Sequence, residues 1–107
     1  MFDIESIQAL LDGGSVKYTE HFKERLEERV IKHVDVKQAI LSGEIIEQCL
    51  DDEPLPSVLI LGYTRDNMPL HVAVSVGDDV ICLVTVYVPT LTIWGNDYKT
   101  RLEAGQL

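Results

Sequence analysis

Three side chains that can bind an anion or move a proton stand four residues apart early in the chain: His21, Arg25 and Arg29. Because a helix has about 3.6 residues per turn, this spacing places them on one side of a helix, and we call them the basic stripe. Like charges at this spacing destabilise an isolated helix, so helix formation does not explain the pattern. The functional hypothesis is an anion site, in which the guanidinium groups hold a phosphate or carboxylate and the histidine exchanges a proton. The alternative is a solvated face that nearby glutamates neutralise.

A second set of reactive side chains, His71, Thr85 and Tyr87, lies on two predicted strands that form a hairpin. Every even-numbered residue of these strands is apolar, so a register that pairs even with even keeps one face hydrophobic. His71 is then opposite Thr85 and diagonal to Tyr87 on the other face. The functional hypothesis is a general acid or base beside a phenol that donates to developing charge. The alternative is a half-exposed strand face whose hydroxyl groups bond across the ladder.

The hydrophobic period changes from helical to alternating after Gly43, which predicts an α+β domain with its helices first. Three helices are predicted within residues 3–42, and Thr19 is the expected N-cap of the second. Four strands follow within residues 44–88, and their short connections predict a four-stranded antiparallel meander. The predicted segments are helices at 3–11, 19–30 and 35–42, strands at 44–50, 57–63, 70–76 and 80–88, and a short helix at 98–104 within a tail at 89–107.

The second helix must bury its own apolar residues against the sheet, so the basic stripe should emerge at the rim of the core. The polar face of the hairpin is expected to end near the same rim. We therefore expect an arginine of the basic stripe within about 8 Å of Tyr87 or His71, close enough to share one bound anion. If the two sets lie on opposite sides of the sheet, one site cannot contain both.

The chain has 107 residues, the size of a single domain that spans residues 1–107. Nine Lys and Arg against 18 Asp and Glu give a net charge of −9, which argues against sequence-blind binding of nucleic acid. Residues 17–37 contain six basic and five acidic groups, whereas residues 38–97 contain one basic and nine acidic groups. An anion site must therefore use the first segment, and a basic protein partner would be steered to the second.

No nucleotide-binding loop, HExxH helix or metal-spaced cluster of ligands occurs, so we expect neither a metal nor a cofactor. Cys49 and Cys82 form no CxxC pair; one disulfide and two buried reduced thiols both fit, and the reduced form is favoured in a cytosolic protein. The acidic amino terminus does not resemble a signal peptide, and no apolar run approaches the roughly 18 residues of a membrane helix. We expect a soluble, cytoplasmic protein that does not bind membranes.

Several short motifs occur together in an order that resembles domain-of-unknown-function family 4258, a group of small bacterial proteins. The resemblance covers about residues 15–95. The family is similar in layout to RelE-like toxins of toxin–antitoxin pairs, which implies N-terminal helices, an antiparallel sheet and metal-independent ribonuclease activity. The motifs are His21-x-x-x-Arg25-x-x-x-Arg29, Val36, Leu41-Ser42-Gly43-Glu44-Ile45-Ile46-Glu47, Leu61-Gly62, Pro69-Leu70-His71-Val72, Thr85-x-Tyr87-x-Pro89 and Trp94.

Two functions follow as hypotheses. The first is an RNase-like toxin domain that cleaves RNA by general acid–base chemistry and pairs with a cognate antitoxin protein. The second is a non-enzymatic module that binds a protein partner or forms a homodimer, in which the arginines of the basic stripe pair with the chain's own carboxylates. For the ribonuclease, the catalytic residues would be His21, His71 and Tyr87, and the substrate-binding residues Arg25, Arg29 and Thr85.

Overall fold

A computed structural model describes residues 3–49, 51, 56–77 and 79–102 of the chain. The fold is α+β, as predicted, but its sheet has five strands in mixed orientation rather than four antiparallel ones. No helix among the described residues is long and apolar enough to cross a membrane. In chain order the elements are α1 (Ile4–Asp12), β1 (Val16–Tyr18), α2 (Glu20–Arg29), α3 (His33–Leu41), β2 (Glu44–Cys49), β3 (Ser57–Tyr63), β4 (Pro69–Val76) and β5 (Ile81–Tyr87).

The N-terminal ends of the helices follow the sequence signals in two cases of three. The Thr19 side chain accepts an N–H group in the first turn of α2, as predicted, and Asp3 does the same at the predicted start of α1. In contrast, α3 begins at His33, two residues before the predicted start at Asp35. Its N-cap residue, Lys32, forms no side-chain cap bond. A capping side chain therefore does not determine where α3 begins. The sequence prediction chose Asp35 because it is the nearest residue that favours a helix N-terminus.

The strand β1 is the element that the sequence did not predict. It pairs in parallel with β5, where Val16 lies opposite Ile81 and Tyr18 opposite Leu83. The order across the sheet is β1-β5-β4-β3-β2, and the other neighbouring pairs are antiparallel. A strand of three residues is too short to show an alternating pattern, so only its partner reveals it. The predicted meander thus accounts for β2 to β5 alone.

A β-bulge in the β4–β5 hairpin changes the predicted register. His71 lies opposite Tyr87, not opposite Thr85, because the pairing shifts partway along the two strands. The buried residues of β5 also change parity across the bulge, from Ile81 to Val86. Because apolar residues occur at both odd- and even-numbered positions of β5, the residue pattern of the strand could not reveal this shift.

The three helices cover one face of the sheet and form the main hydrophobic core. Phe22 and Leu26 of α2 are buried there with the even-numbered residues of β4. α3 lies so close to β3 that a Cβ atom on Gly62 would stand 1.8 Å from the carbonyl oxygen of Ala39. Gly43 follows α3 as predicted, and its Cβ would lie 2.5 Å from the same oxygen. Both glycines therefore allow the helix to contact the sheet.

The segment 89–102 crosses the opposite face of the sheet. Trp94 is 2% exposed and forms an isolated antiparallel bridge with Arg101. Tyr98 has a φ of 60°, which a continuing helix does not tolerate, and residues 98–102 are not helical. The predicted helix at 98–104 is therefore wrong over these residues, and its last two positions lie outside the described chain.

Candidate functional site

His71, Tyr87 and Trp94 pack together on the sheet face opposite the helices, and we call them the histidine cluster. The bulged register places His71 and Tyr87 side by side, with ring centroids 5.2 Å apart and planes at 68°. The Trp94 ring stands at 90° to the His71 ring, 4.4 Å between centroids. Such edge-to-face contacts add to the stabilisation that burial provides. The side chain of His71 has no exposed surface.

Both ring nitrogens of His71 bond within the chain. Nε2 lies 2.7 Å from the carbonyl oxygen of Tyr98, and Nδ1 lies 3.2 Å from the Tyr87 hydroxyl. Because a carbonyl oxygen only accepts, Nε2 must carry the hydrogen. In the neutral ring Nδ1 then accepts a hydrogen bond from the Tyr87 hydroxyl. Neither nitrogen remains free to exchange a proton with a substrate.

The local environment favours the neutral forms of both groups. Burial lowers the pKa of His71 below its ordinary value of 6.5, although the bond to the Tyr98 carbonyl opposes this shift. Burial likewise raises the pKa of the Tyr87 hydroxyl above its ordinary value. The pair is therefore uncharged near neutral pH, which suits a packed, hydrogen-bonded support better than a general acid.

A groove of about 220 Å³ opens beside the histidine cluster on the same face of the sheet. Tyr87 and Thr85 line it, together with Glu47 of β2 and Arg101 of the C-terminal segment. The Arg101 guanidinium binds both carboxylate oxygens of Glu47, at 2.7 and 3.0 Å. Its centre also lies 4.6 Å from the Trp94 ring. The groove thus brings a carboxylate, a guanidinium and a phenol together.

The basic stripe on α2 contacts the chain itself. Arg29 donates from Nη1 to the carbonyl oxygen of Val86 at 2.8 Å, on the part of β5 that lies beyond the end of β1. Arg25 forms an ion pair with Glu28 one turn away. His21 is exposed at the start of the helix. The carboxylate pairing expected of both arginines in a binding module is thus found for Arg25, whereas Arg29 bonds to the backbone.

The structure does not bring the basic stripe and the histidine cluster into one site. α2 packs on the face formed by Leu70 and Val72, and strand alternation turns His71, between them, to the other face. The charged groups that shift the pKa values of His71 and Tyr87 are Glu47 and Arg101, not the arginines of α2. The expected approach of an arginine to Tyr87 is met at the main chain, where Arg29 bonds to the Val86 carbonyl beside the Tyr87 nitrogen. The side chains of His71 and Tyr87 lie on the other side of the sheet from α2, so these side chains do not form the expected shared anion site with the basic stripe.

Sequence reasoning missed two residues on the sheet face opposite the helices, Glu47 and Arg101. Glu47 is the last residue of the motif at 41–47, but a charged residue in a strand usually indicates only a solvent-exposed position. Arg101 lies 54 residues further along the chain. The last ten residues contain Lys99 and Arg101 against Glu103, and this small excess of positive charge is a sequence signal that the segment returns to an acidic strand.

Neither the cysteines nor the acidic residues form a recognisable metal or redox centre in the described part of the chain. Cys49 and Cys82 are both free thiols, but Cys49 is exposed, contrary to the expected burial. Cys49 lies at one edge of the sheet, in β2, while Cys82 lies in β5, with two strands between them. Within the described ranges, no three His, Cys, Asp or Glu side chains are close enough to hold a metal ion.

Comparison with known proteins gives one match. A family model described as "Domain of unknown function (DUF4258)" matches residues 18–88, which run from the end of β1 past the end of β5. The matched region includes the basic stripe, His71 and Tyr87, whereas Trp94 and Arg101 lie beyond it. No curated protein and no solved structure matches the chain. The match covers more than half of the residues, and the chain therefore belongs to the DUF4258 family.

Proposed function

We propose that this domain is a non-enzymatic module that binds a protein partner. The observation that carries the proposal is that the side chains best suited to acid–base or anion chemistry form hydrogen bonds inside the chain. Both ring nitrogens of His71 are bonded inside the chain, and Arg29 holds the edge of β5 through the Val86 carbonyl. Residues that could perform general acid–base chemistry therefore stabilise the structure, and the exposed surface is left for recognition.

The acidic side of the molecule is a poorer docking surface than its formal charge indicates. Lys99 pairs with Glu44 at 2.7 Å, and Arg101 pairs with Glu47. The C-terminal segment thus neutralises two carboxylates of β2. A basic partner that docked on β2 would have to displace these contacts.

The experiment that tests the proposal is the measurement of mass in solution, by native mass spectrometry, for the chain alone and co-expressed with the products of its neighbouring genes. We expect a stable complex that contains this chain and a second protein. A chain that remains strictly monomeric and captures none of these products would overturn the proposal.

RNA cleavage is the second candidate function, because Glu47, Arg101 and Tyr87 line one groove. In this hypothesis the Glu47 carboxylate would accept the proton of a ribose 2′-hydroxyl as its oxygen bonds to the adjacent phosphorus. The bond from phosphorus to the 5′-oxygen would break, water would protonate the leaving oxygen, and the Arg101 guanidinium would stabilise charge on the phosphate. Expression of the chain in a bacterial host tests it. Growth arrest by the wild type that disappears with Arg101→Ala would favour this function, whereas equal growth of both strains would count against it.

A further inference from the structure

The helix layer leaves a gap over β1, and the gap forms a second groove. Its volume is about 280 Å³. Val16, Val36 and Leu83 give it an apolar lining, and His33 and Lys37 lie beside them. Tyr18 also lines it and contacts His33 edge-on, with ring centroids 5.2 Å apart. We call this feature the lysine-rimmed groove.

Two large apolar side chains beside the lysine-rimmed groove are exposed to solvent. Val34, on its wall, is 46% exposed, and Tyr18 is 38% exposed. A further hollow, lined by Lys23, Leu26, Glu27 and Ile31, adjoins it at His33. Exposed apolar side chains such as Val34 and Tyr18 beside a groove are typical of a protein-binding site.

The charges around this groove lack acidic partners within the described chain. Lys37 lines the groove and Lys32 precedes α3, and the structure shows no ion pair for either among the described residues. The lysine and arginine of the C-terminal segment, by contrast, are both paired. Because Lys37 lines the groove and has no ion pair among the described residues, negative charge on a partner segment is favoured at this point.

The backbone of β1 offers a free edge next to the groove. The carbonyl of Ser15 accepts from Ile81, and the N–H of Thr19 donates to Leu83, so the peptide groups of odd-numbered residues bond to β5. Strand geometry then turns the N–H and C=O groups of Val16 and Tyr18 away from the sheet. β1 is the last strand in the sheet order, and an extended peptide can add to such an edge.

We propose that the lysine-rimmed groove binds an extended segment of a partner protein that joins the sheet beside β1. Alternate side chains of this segment are apolar and enter the groove, and acidic residues flank them and face Lys37. The inference rests on the proposed function and adds to it a location, a conformation and a partner chemistry. Main-chain bonds to β1 provide affinity, and the groove and Lys37 provide selectivity.

Synthetic peptides test this surface directly. The probe is a short peptide in which valine and threonine alternate, with glutamates at both ends, and the control peptide has lysines at those ends. We expect the acidic peptide to shift the NMR signals of Tyr18, His33 and Val34, and to bind more tightly than the basic peptide. Lys37→Glu should weaken binding about fivefold, whereas the matched change Arg65→Glu, in the exposed β3–β4 turn, should leave it unchanged.

Backbone methylation of the probe tests the strand pairing without altering the protein. Two acidic peptides are methylated on alternate amides, one on the valines and the other on the threonines. Only one set of amides faces β1, so one peptide should bind about tenfold more weakly than the other. Equal binding of the two peptides would overturn strand addition, and equal binding of acidic and basic probes would overturn the charge argument.

Solution mass separates failure of this inference from failure of the proposed function. A partner complex that survives both Lys37→Glu and Val34→Asp would leave the binding function intact and overturn this surface. A wild-type homodimer that Val34→Asp dissociates would show that a second copy occupies the groove, which also contradicts the proposal. The absence of any complex together with the absence of peptide binding would overturn both.

Discussion

His71 is a buried histidine whose surroundings keep it neutral. It has no exposed side-chain surface, its Nε2 donates to the Tyr98 carbonyl, and its Nδ1 accepts from Tyr87. The sequence placed His71 and Tyr87 on one strand face, because alternation depends on neighbouring residues only. It did not indicate the burial, because the cover comes from Trp94 and the segment that follows β5. The sequence thus predicted the strand face on which His71 lies but not its burial.

The pKa of His71 should make the stability of the domain depend on pH. Its folded-state pKa lies below the ordinary value of 6.5, so between the two values the unfolded chain binds more protons. The free energy of unfolding should therefore fall as the pH decreases below 6.5. Urea unfolding on both sides of this pH measures the slope, which His71→Gln should flatten. The exposed-site control His21→Gln should keep the wild-type slope, and equal slopes for the two variants would contradict the assignment.

The Tyr87 hydroxyl should contribute to stability as the donor to His71. Tyr87→Phe leaves the buried Nδ1 atom without its partner, which should cost about 1–3 kcal/mol of unfolding free energy. Tyr18→Phe removes a hydroxyl from a more exposed ring and should change stability by less than about 0.5 kcal/mol. Chemical denaturation of both variants checks this difference. A Tyr87→Phe protein as stable as the wild type would show that the hydroxyl has no structural role.

At the scale of the elements, local signals predicted the helices and β2 to β5, and distant contacts determined the rest. Thr19 identified the start of α2 because a capping side chain acts within one turn. β1 escaped prediction because its three residues become a strand only against β5. The bulge was not predicted either, because apolar residues occur at both odd and even positions of β5. The consequence for the site was large, since the actual register puts His71 beside Tyr87.

The contact between α3 and β3 should make Gly62 intolerant of a side chain. A Cβ atom there would lie 1.8 Å from the Ala39 carbonyl oxygen, so the helix would have to move away from the sheet. Gly62→Ala should therefore lower the unfolding free energy by about 3 kcal/mol. Gly13→Ala, where the nearest atom is 3.3 Å away and φ is −80°, should cost less than about 1 kcal/mol. Similar urea midpoints for the two variants would contradict this packing.

At the scale of the whole molecule, charge and topology together favour binding over catalysis. The net charge of −9 repels RNA in general, and the sheet separates the arginines of α2 from His71 and Tyr87. The sequence indicated both sets of residues, but it could not show on which side of the sheet each lies. That relation depends on how α2 packs, which places its apolar stripe against the face formed by Leu70 and Val72.

The most direct test of this account is the incubation of the purified protein with RNA in the presence of EDTA. Because His71 has no free ring nitrogen and the basic stripe lies across the sheet from it, we predict that the RNA remains intact. RNA cleavage that persists in EDTA and is abolished by Arg101→Ala or Glu47→Gln would contradict the account. It would identify the groove beside the histidine cluster as an active site.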